Sequence, residues 1–336
     1  MARFAAIGLD HRHIYDLTAG LLAAGAECAG YNPDTSDPHV LAGFQKRFPQ
    51  VQAVETARLL DDPAIDFVVI AAVPRDRAGL AVAAMQRGKD VMVDKPGITT
   101  AQQLAEVQRA VQETGRIWSV ALGRLTSPAQ QEALRIVRSG ELGRLVHTAS
   151  LAPHRLNRDL RPGWFFDAPA YGGVINDIGV HSIDQFLAFA DATDAEIVQS
   201  TVGAFGTEPA GFEDFGELVL ATPAVRGYIR LDWFTPDGLP TWGDGRFFAV
   251  GTQGTLELRK NLDIEGRAGT DHMFVANATA TRYIDCSQMP VTYYRDFVAD
   301  VANRTHSVMP QQQVFAVCRL ALDAQARATR FVARRA

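Results

Sequence analysis

The chain has 336 residues, of which 47% are hydrophobic and 21% are charged, and its formal net charge is −5. This balance is typical of a soluble globular protein, and the length is sufficient for two domains with separate cores. The charges are spread along the chain, so no basic block indicates a nucleic-acid partner, and no apolar run reaches the roughly 18 residues that cross a bilayer.

Residues 1–122 alternate short apolar runs with helical spacing. Strands are predicted at residues 4–7, 27–31, 67–72, 90–93 and 117–122, and helices at residues 13–24, 40–47, 77–87 and 100–114. Thr99 or Thr100 is expected to cap the last of these helices. Regular β-α-β alternation predicts a doubly wound parallel sheet, which binds ligands at the carboxyl ends of its strands.

Residues 123–336 have a different pattern. Strands are predicted at residues 145–151, 196–204, 216–221, 225–233, 246–250 and 254–259, and helices at residues 129–139, 176–190, 291–302 and 311–334. Because most of these strands follow one another without intervening helices, we expect an α+β domain with an open, mainly antiparallel sheet. Its C-terminal helices are free to pack back on the first domain.

The stretch AIGLDHRHIY places Gly8 between the first strand and the first helix. A glycine-rich nucleotide turn has glycines at the next two positions of its motif, where this chain has Asp10 and His13. The helix N-terminus can still bind a pyrophosphate, with His11, Arg12 or His13 offsetting the charge of Asp10. The alternative is that Asp10 caps the helix and the histidines lie on the surface. We expect no metal site from the two histidines, because helical residues two apart point apart.

The stretch VMVDKPG ends a predicted strand in Asp94, Lys95 and Pro96. A lysine at the carboxyl end of a central strand can hold a substrate oxygen or polarise a carbonyl group. Pro96 favours an extended backbone at Lys95. The alternative is a lysine in a surface loop.

The stretch YGGVINDIGVHSIDQF has helical spacing, which places Asp177, His181 and Asp184 near one face. A histidine one turn from a carboxylate is suited to general acid–base chemistry. Gly172 and Gly173 allow a ligand to approach the backbone closely. A half-buried polar cluster without a chemical role is the alternative.

The stretch HRLNRDLRPGW carries Arg155, Arg158 and Arg161 just before this glycine pair. Such a cluster can bind a carboxylate or a phosphate, or it can form a solvated loop that pairs with acidic residues elsewhere. Trp164 can stack on a sugar ring or anchor the loop.

Together, these stretches resemble the glucose–fructose oxidoreductase / inositol dehydrogenase / rhizopine-catabolism (Gfo/Idh/MocA) family of NAD(P)-dependent oxidoreductases. DKP resembles the E-K-P of that family, GGVINDIGVHSID resembles its G-G-x-x-x-D-x-G-x-H-x-x-D, and FAVGTQGTLEL resembles its G-T-x-G-x-L strand pair. The resemblance covers almost the whole chain. It implies a Rossmann domain over residues 1–122 and an α+β domain for substrate binding and oligomerisation over residues 123–336.

The resemblance also implies hydride transfer between nicotinamide C4 and a carbinol carbon of a sugar, cyclitol or related polyol. It assigns Lys95 to the reacting oxygen and His181 to acid–base chemistry with Asp177 beside it. The residues expected to bind the cofactor are Gly8, Asp10, His11, Arg12, His13, Asn32, Ala71, Ala72, Val73, Asp94 and Lys95. Those expected to bind the substrate are Arg124, His154, Arg161, Trp164, Asp177 and His181.

Most departures from the family pattern lie at the cofactor end. Only Gly8 remains of the glycine turn, and Asn32 stands where many members carry an acid for the adenosine ribose. Arg75 to Arg77 stand where Asn or His is common, and Gly123 replaces an asparagine. Because an amide can bond a ribose hydroxyl and no arginine follows Asn32 closely, we favour NAD over NADP.

The favoured function is therefore that of a cytoplasmic NAD(P)-dependent dehydrogenase or reductase that acts on a sugar-like small molecule. We expect a homodimer or homotetramer that does not associate with a membrane. Two alternatives stay open: an enzyme that retains NAD and uses it transiently, as glycosidase-like relatives do, and a non-catalytic regulator that senses the cofactor. The strand-like N-terminus predicts no signal peptide. Cys28, Cys286 and Cys318 are too widely spaced for a disulfide framework or a metal pair, which indicates a reducing compartment.

Overall fold

The computed structural model describes residues 1–207 and 209–332. The chain divides into two compact units. The first contains residues 1–122, 162–172 and 292–319, and the second contains the rest of the described chain. Two segments that follow the predicted boundary at residue 122 thus belong to the first unit. Among the described helices, none is long and apolar enough to cross a membrane.

The strands are β1 (Arg3–Leu9), β2 (Glu27–Tyr31), β3 (Phe67–Ala71), β4 (Asp90–Asp94), β5 (Trp118–Ala121), β6 (Leu145–Pro153), β7 (Glu196–Ala204), β8 (Phe215–Ala221), β9 (Arg226–Asp232), β10 (Arg246–Gly251), β11 (Gly254–Arg259), β12 (His272–Asn277), β13 (Thr281–Asp285) and β14 (Thr329–Val332). The α-helices are α1 (Ile14–Ala23), α2 (Pro38–Arg47), α3 (Thr56–Asp61), α4 (Pro74–Gln86), α5 (Ala101–Thr114), α6 (Gly123–Thr126), α7 (Pro128–Arg138), α8 (Ala168–Tyr171), α9 (Val180–Phe189), α10 (Tyr293–Asn303) and α11 (Gln311–Arg327).

The first unit contains the predicted doubly wound sheet. Its described strands lie in the order β2-β1-β3-β4-β5, and all four pairings are parallel. Every residue of β3 and β4 is buried, as expected for parallel strands covered on both faces. Thr100 caps α5 by accepting a hydrogen bond from the Gln103 N–H, which confirms one of the two predicted caps.

The second unit contains a mixed sheet of nine described strands, in the order β13-β12-β11-β10-β6-β9-β8-β7-β14. Most pairings are antiparallel, as predicted, but β6 pairs with β9 and β7 with β14 in parallel. Alternate residues of β10, β11 and β12 are buried, because they pack in one core with α7. Phe247, Leu256 and Met273 belong to this core.

Three expectations for the second domain are corrected. The strands β12 and β13 were not predicted, and the predicted helix over 311–334 ends at Arg327, with the strand β14 after it. Residues 333 and 334 of that prediction lie outside the described residues. The predicted helix over 176–190 begins instead with a π-helical turn, Ile175–Gly179, and continues as α9.

Candidate functional site

The end of β1 requires a glycine. Gly8 has φ +65°, and a Cβ at this position would lie 2.5 Å from the Ala72 Cβ. The N–H groups of Asp10 and His11 both donate to the Ala71 carbonyl, at 3.2 and 2.9 Å. Gly8 therefore lets the ends of β1 and β3 come together at the carboxyl edge of the sheet.

Asp10 does not cap α1, so that interpretation was wrong. Its Oδ1 accepts hydrogen bonds from the Thr35 hydroxyl at 2.9 Å and from the Ser36 N–H and hydroxyl at 2.5 and 2.7 Å. Its Oδ2 accepts from the Val73 N–H at 3.3 Å. The carboxylate at this glycine position thus holds the loops that follow β2 and β3.

His11 and His13 meet at one carboxylate. His11 Nδ1 lies 3.0 Å from Asp94 Oδ2, and His13 Nδ1 lies 2.9 Å from Asp94 Oδ1. The two rings are perpendicular, with centroids 4.1 Å apart. Our reason for excluding a metal site was wrong, because His11 precedes the helix and His13 is its N-cap residue. The i and i+2 geometry of a helix does not apply to them.

The electrostatics of this cluster favour an ionised Asp94. Burial raises the pKa of Asp94, but the nearby His13, Arg77 and His11 outweigh it and hold that pKa well below its usual range. Burial and the neighbouring His13 lower the pKa of His11 to about 3, against the opposing effect of Asp94. An ionised carboxylate only accepts hydrogen bonds, so both Nδ1 atoms carry protons and donate to it.

Arg77 holds the loop that carries Lys95, a role that our sequence analysis missed. Its side chain is 1% exposed, and its Nη2 bonds Asp94 Oδ2 at 3.0 Å. Its other nitrogens donate to the carbonyls of Ala72, Asp94, Lys95 and Pro96 at 2.5–3.0 Å. The signal was present in the sequence, because Arg77 lies four residues before the buried Ala81 on the apolar face of α4.

Lys95 follows β4 and is 9% exposed, so it does not lie in a surface loop. Its N–H donates to Asp94 Oδ1 at 2.8 Å. At the end of β2, the buried Asn32 binds Asp34 twice: its Oδ1 accepts from the Asp34 N–H, and its Nδ2 donates to Asp34 Oδ2. The carboxylate of Asp34 itself is on the surface.

In the second unit, backbone geometry orients His181. The Gly123 N–H donates to His181 Nδ1 at 2.9 Å, so the neutral ring carries its proton on Nε2. A Cβ at residue 123 would lie 3.4 Å from this Nδ1 atom. Asp177 is buried in the π-helical turn one turn before His181. The main chain of residue 123 thus supplies the donor that orients the histidine.

Arg124 forms a bidentate ion pair with Asp184. Its Nε and Nη2 each lie 2.9 Å from one oxygen of the fully buried carboxylate. This pairing fixes α6 to α9, so Arg124 and Asp184 have a structural role that is sufficient to explain both residues.

Two of the three arginines of the 154–164 stretch contact different groups. Arg155 donates to the carbonyls of Pro236 and Asp237 at 2.8 and 3.4 Å, whereas Arg161 lies 5.2 Å from the ring centroid of Trp233. The ring of His154 packs against the same tryptophan. Arg155 and Arg161 thus have different neighbours within the second unit.

Trp164, from the same stretch, lies in the first unit. Its ring centroid is 6.2 Å from that of His11. In the described part of the chain its buried Nε1 has no hydrogen-bond partner. Of the predicted substrate residues, the structure thus places Trp164 beside the cluster formed by His11, His13 and Asp94.

Family models match both units. The GFO/IDH/MocA C-terminal domain matches residues 130–257, and the NAD-binding Rossmann fold of the oxidoreductase family matches residues 36–122. Together they cover more than half of the chain. The second match begins after the turn at residues 8–13.

Individual proteins are similar over much of their length. A solved structure assigned as an oxidoreductase of Erwinia carotovora atroseptica is 39% identical, with a TM-score of 0.94 over 98% of this chain and 99% of its own. The scyllo-inositol 2-dehydrogenase (NAD(+)) of Bacillus subtilis is 27% identical over 270 residues, which are 76% of this chain and 72% of its own. The 1,5-anhydro-D-fructose reductase of Ensifer adhaerens is 32% identical over 233 residues, covering 63% of this chain and 62% of its own.

Proposed function

Because the chain belongs to the GFO/IDH/MocA family of NAD(P)-dependent oxidoreductases, we propose that it transfers hydride between nicotinamide C4 and a carbinol carbon of a sugar, cyclitol or related polyol. The observation that carries this proposal is the buried Lys95, which follows β4 on a loop that Arg77 holds in place. A fixed ammonium group can bind the reacting oxygen and stabilise negative charge on it. The scyllo-inositol and anhydrofructose enzymes among the relatives support the substrate class.

The residues at the carboxyl edge of the first sheet fit a dinucleotide. Gly8 keeps the turn against Ala72, where a Cβ would collide, and α1 begins directly after this turn. The N–H groups of a helix N-terminus can bind a pyrophosphate, and the exposed Arg12 adds positive charge. NAD bound there would supply the hydride acceptor. Ala71, Ala72 and Val73 would line its path at the end of β3.

We favour NAD over NADP on the geometry at the end of β2. The amide of Asn32 is bonded to Asp34, so the carboxylate of Asp34 is the group that would accept bonds from the ribose hydroxyls. The same carboxylate would repel a 2′-phosphate. Asp34 therefore takes the role that the sequence comparison assigned to Asn32.

His181 would exchange the proton of the reacting hydroxyl. Its Nδ1 accepts the Gly123 N–H, which leaves Nε2 as the atom that carries and transfers a proton. Asp177, buried one turn earlier, would favour the charged imidazolium, and Lys95 would hold the oxygen. These three assignments come from the family motif, and the local geometry of each residue is compatible with them.

We further propose a cytoplasmic homodimer or homotetramer. The second unit exposes large apolar side chains, among which Phe205 and Phe331 have ring centroids 5.2 Å apart. Exposed aromatic patches of this kind are typical of subunit interfaces. Neither a nucleic acid nor a membrane is expected to take part.

The deciding experiment is a separate titration with NADH and NADPH, followed by nicotinamide fluorescence, after a check for cofactor released on denaturation. We expect NADH to bind more tightly than NADPH, and Asp34→Ala to narrow the difference. A panel of polyols is then screened for turnover. Product without net NADH would favour the NAD-retaining alternative, and binding without turnover would favour the regulator. If neither nucleotide binds and none co-purifies, the proposed function is wrong.

A further inference from the structure

We propose that His11, His13 and Asp94 bind one divalent transition-metal ion of the zinc class. One ligand atom from each of these three residues lies within 4.8 Å of the other two, and no other cluster of three such residues occurs in the described part of the chain. Two imidazoles and one carboxylate form a donor set that suits zinc, cobalt, nickel and iron(II). The proposal is independent of the proposed function, because it concerns binding without nicotinamide or substrate.

The distances from the two imidazole nitrogens to the Asp94 oxygens are close to those between ligands of a tetrahedral ion. Ligands at about 2.0–2.1 Å from such an ion are separated by roughly 3.3 Å. The Nδ1 atoms of His11 and His13 already lie 3.0 and 2.9 Å from the Asp94 oxygens. An ion would take the place of the two Nδ1 protons, and each neutral ring would then carry its proton on Nε2. The separation of each Nδ1 atom from its own Asp94 oxygen would then lengthen by only a few tenths of an ångström.

Neighbouring groups hydrogen-bond the carboxylate of Asp94 and fix its orientation, as groups around a metal site do for the ligands of the metal. Arg77 and the Lys95 N–H bond the two oxygens of Asp94 at 3.0 and 2.8 Å, which fixes its orientation. The side chain of His13 is 43% exposed, so an ion can enter from that side. The protein supplies three ligands, which leaves a fourth position for water or for an oxygen of a bound molecule.

Arg77 also sets a limit on the site. Its positive charge already pairs with Asp94, so this carboxylate offsets less of the charge of a bound ion. We therefore expect an anionic fourth ligand and a preference for ions that bind imidazole well. Magnesium and calcium, which prefer sets of oxygen ligands, should not bind.

The sequence departures support a common purpose for these residues. His13 stands at a glycine position of the nucleotide turn, and Asp94 replaces the glutamate of the family motif. They are 81 residues apart in the chain, yet they meet within hydrogen-bond distance. The aspartate and the two histidines of the turn together bring three donors to one place.

The test is metal binding by the chelator-treated full chain. Cobalt(II) is titrated and followed by its visible absorption, and bound zinc is measured by elemental analysis after dialysis. We expect one ion per chain, and binding weakened at least about tenfold in His13→Gln and in His11→Gln. His39→Gln, which changes an exposed histidine on α2, is the matched control and should bind as the wild type does.

Circular dichroism and melting temperature establish that each variant is folded. Because the side chain of His13 is half-exposed, His13→Gln is the variant least prone to unfold. If the wild type binds no stoichiometric ion, the proposal is wrong, and His11, His13 and Asp94 form only a hydrogen-bonded cluster. Binding that is equal in His13→Gln, His11→Gln and the control would also overturn it. Magnesium competing with cobalt for the site would contradict the assigned class of ion.

Discussion

The turn after β1 and the segment around His181 orient their histidines by different means. In the turn, His11 and His13 bond a buried carboxylate from the neighbouring strand β4. In the second unit, His181 accepts a backbone N–H from Gly123. The turn has lost glycines, and polar side chains tie it to adjacent strand ends. In the second segment a glycine stands at residue 123, and its main-chain N–H makes the contact with the histidine. A substitution at a functional turn is thus accommodated by whichever partner the fold brings near.

The largest expected effect is on kcat, and it concerns the residues proposed for the chemistry rather than the contacts that orient the histidines. Lys95→Ala and His181→Ala should each lower kcat by about 10²–10⁴, because general acid–base assistance and charge stabilisation are lost. Affinity for NADH, measured by fluorescence, should stay within a few-fold. His39→Gln serves as the control with unchanged kcat. A variant that keeps kcat within tenfold of the wild type would remove that residue from the mechanism.

Stability should distinguish the two buried ion pairs. Arg77→Met leaves Asp94 without its guanidinium partner and frees four carbonyl groups, so the free energy of unfolding should fall by about 3–5 kcal/mol. Arg124→Met, which breaks the pair with Asp184, should cost less, because Arg124 is partly exposed. Denaturant unfolding measures both. An equal or larger loss for Arg124→Met would contradict the importance given to the Arg77 loop.

The two glycines provide a matched comparison. Gly8→Ala combines a positive φ with a Cβ that would lie 2.5 Å from Ala72, so it should cost about 1–3 kcal/mol and weaken NADH binding. Gly123→Ala would meet His181 at 3.4 Å, and its effect on stability should stay within about 0.5 kcal/mol. Similar melting temperatures for both variants would show that the turn relaxes more easily than this geometry implies.

The smallest effect concerns a second carboxylate that anchors a loop, Asp300. Burial raises its pKa, but hydrogen bonds from Thr305, Val308 and Ser307 outweigh it, so the pKa is lowered. A lowered pKa in the folded state means that the carboxylate stabilises the protein above about pH 4, and that this contribution is lost as the pH falls through the folded-state pKa. The difference in melting temperature between wild type and Asp300→Asn should therefore shrink from pH 7 to pH 3. A constant difference would show that the carboxylate is not titrating.

Local pattern was sufficient for much of the fold. The alternation of apolar runs and helical spacing predicted the parallel strands β1 to β5, since fully buried strands require continuous apolar residues. The same pattern placed Lys95 at the end of β4 and Thr100 before α5. The acid–base role of Asp177 and His181 came from the family motif, because helical spacing alone did not distinguish it from a polar cluster without a chemical role.

Other elements depend on their partners. The strands β12 and β13 are short and partly polar, and they were missed because strand formation depends on pairing with β11 and with each other. The residues of β14 continue a helical pattern, but pairing with β7 makes them a strand. The π-helical turn at 175–179 shifts the spacing between Asp177 and α9.

The sequence by itself determined where the polar residues of the site stand relative to strands and helices, because periodicity acts over a few residues. It did not determine what they bind. Only the tertiary structure brought His11 and His13 to Asp94, turned Asp10 toward Thr35 and Ser36, and gave Arg77 its buried acceptors. Buried polar groups must find partners, and in a parallel sheet these come from strand ends that are distant in the chain and adjacent in space.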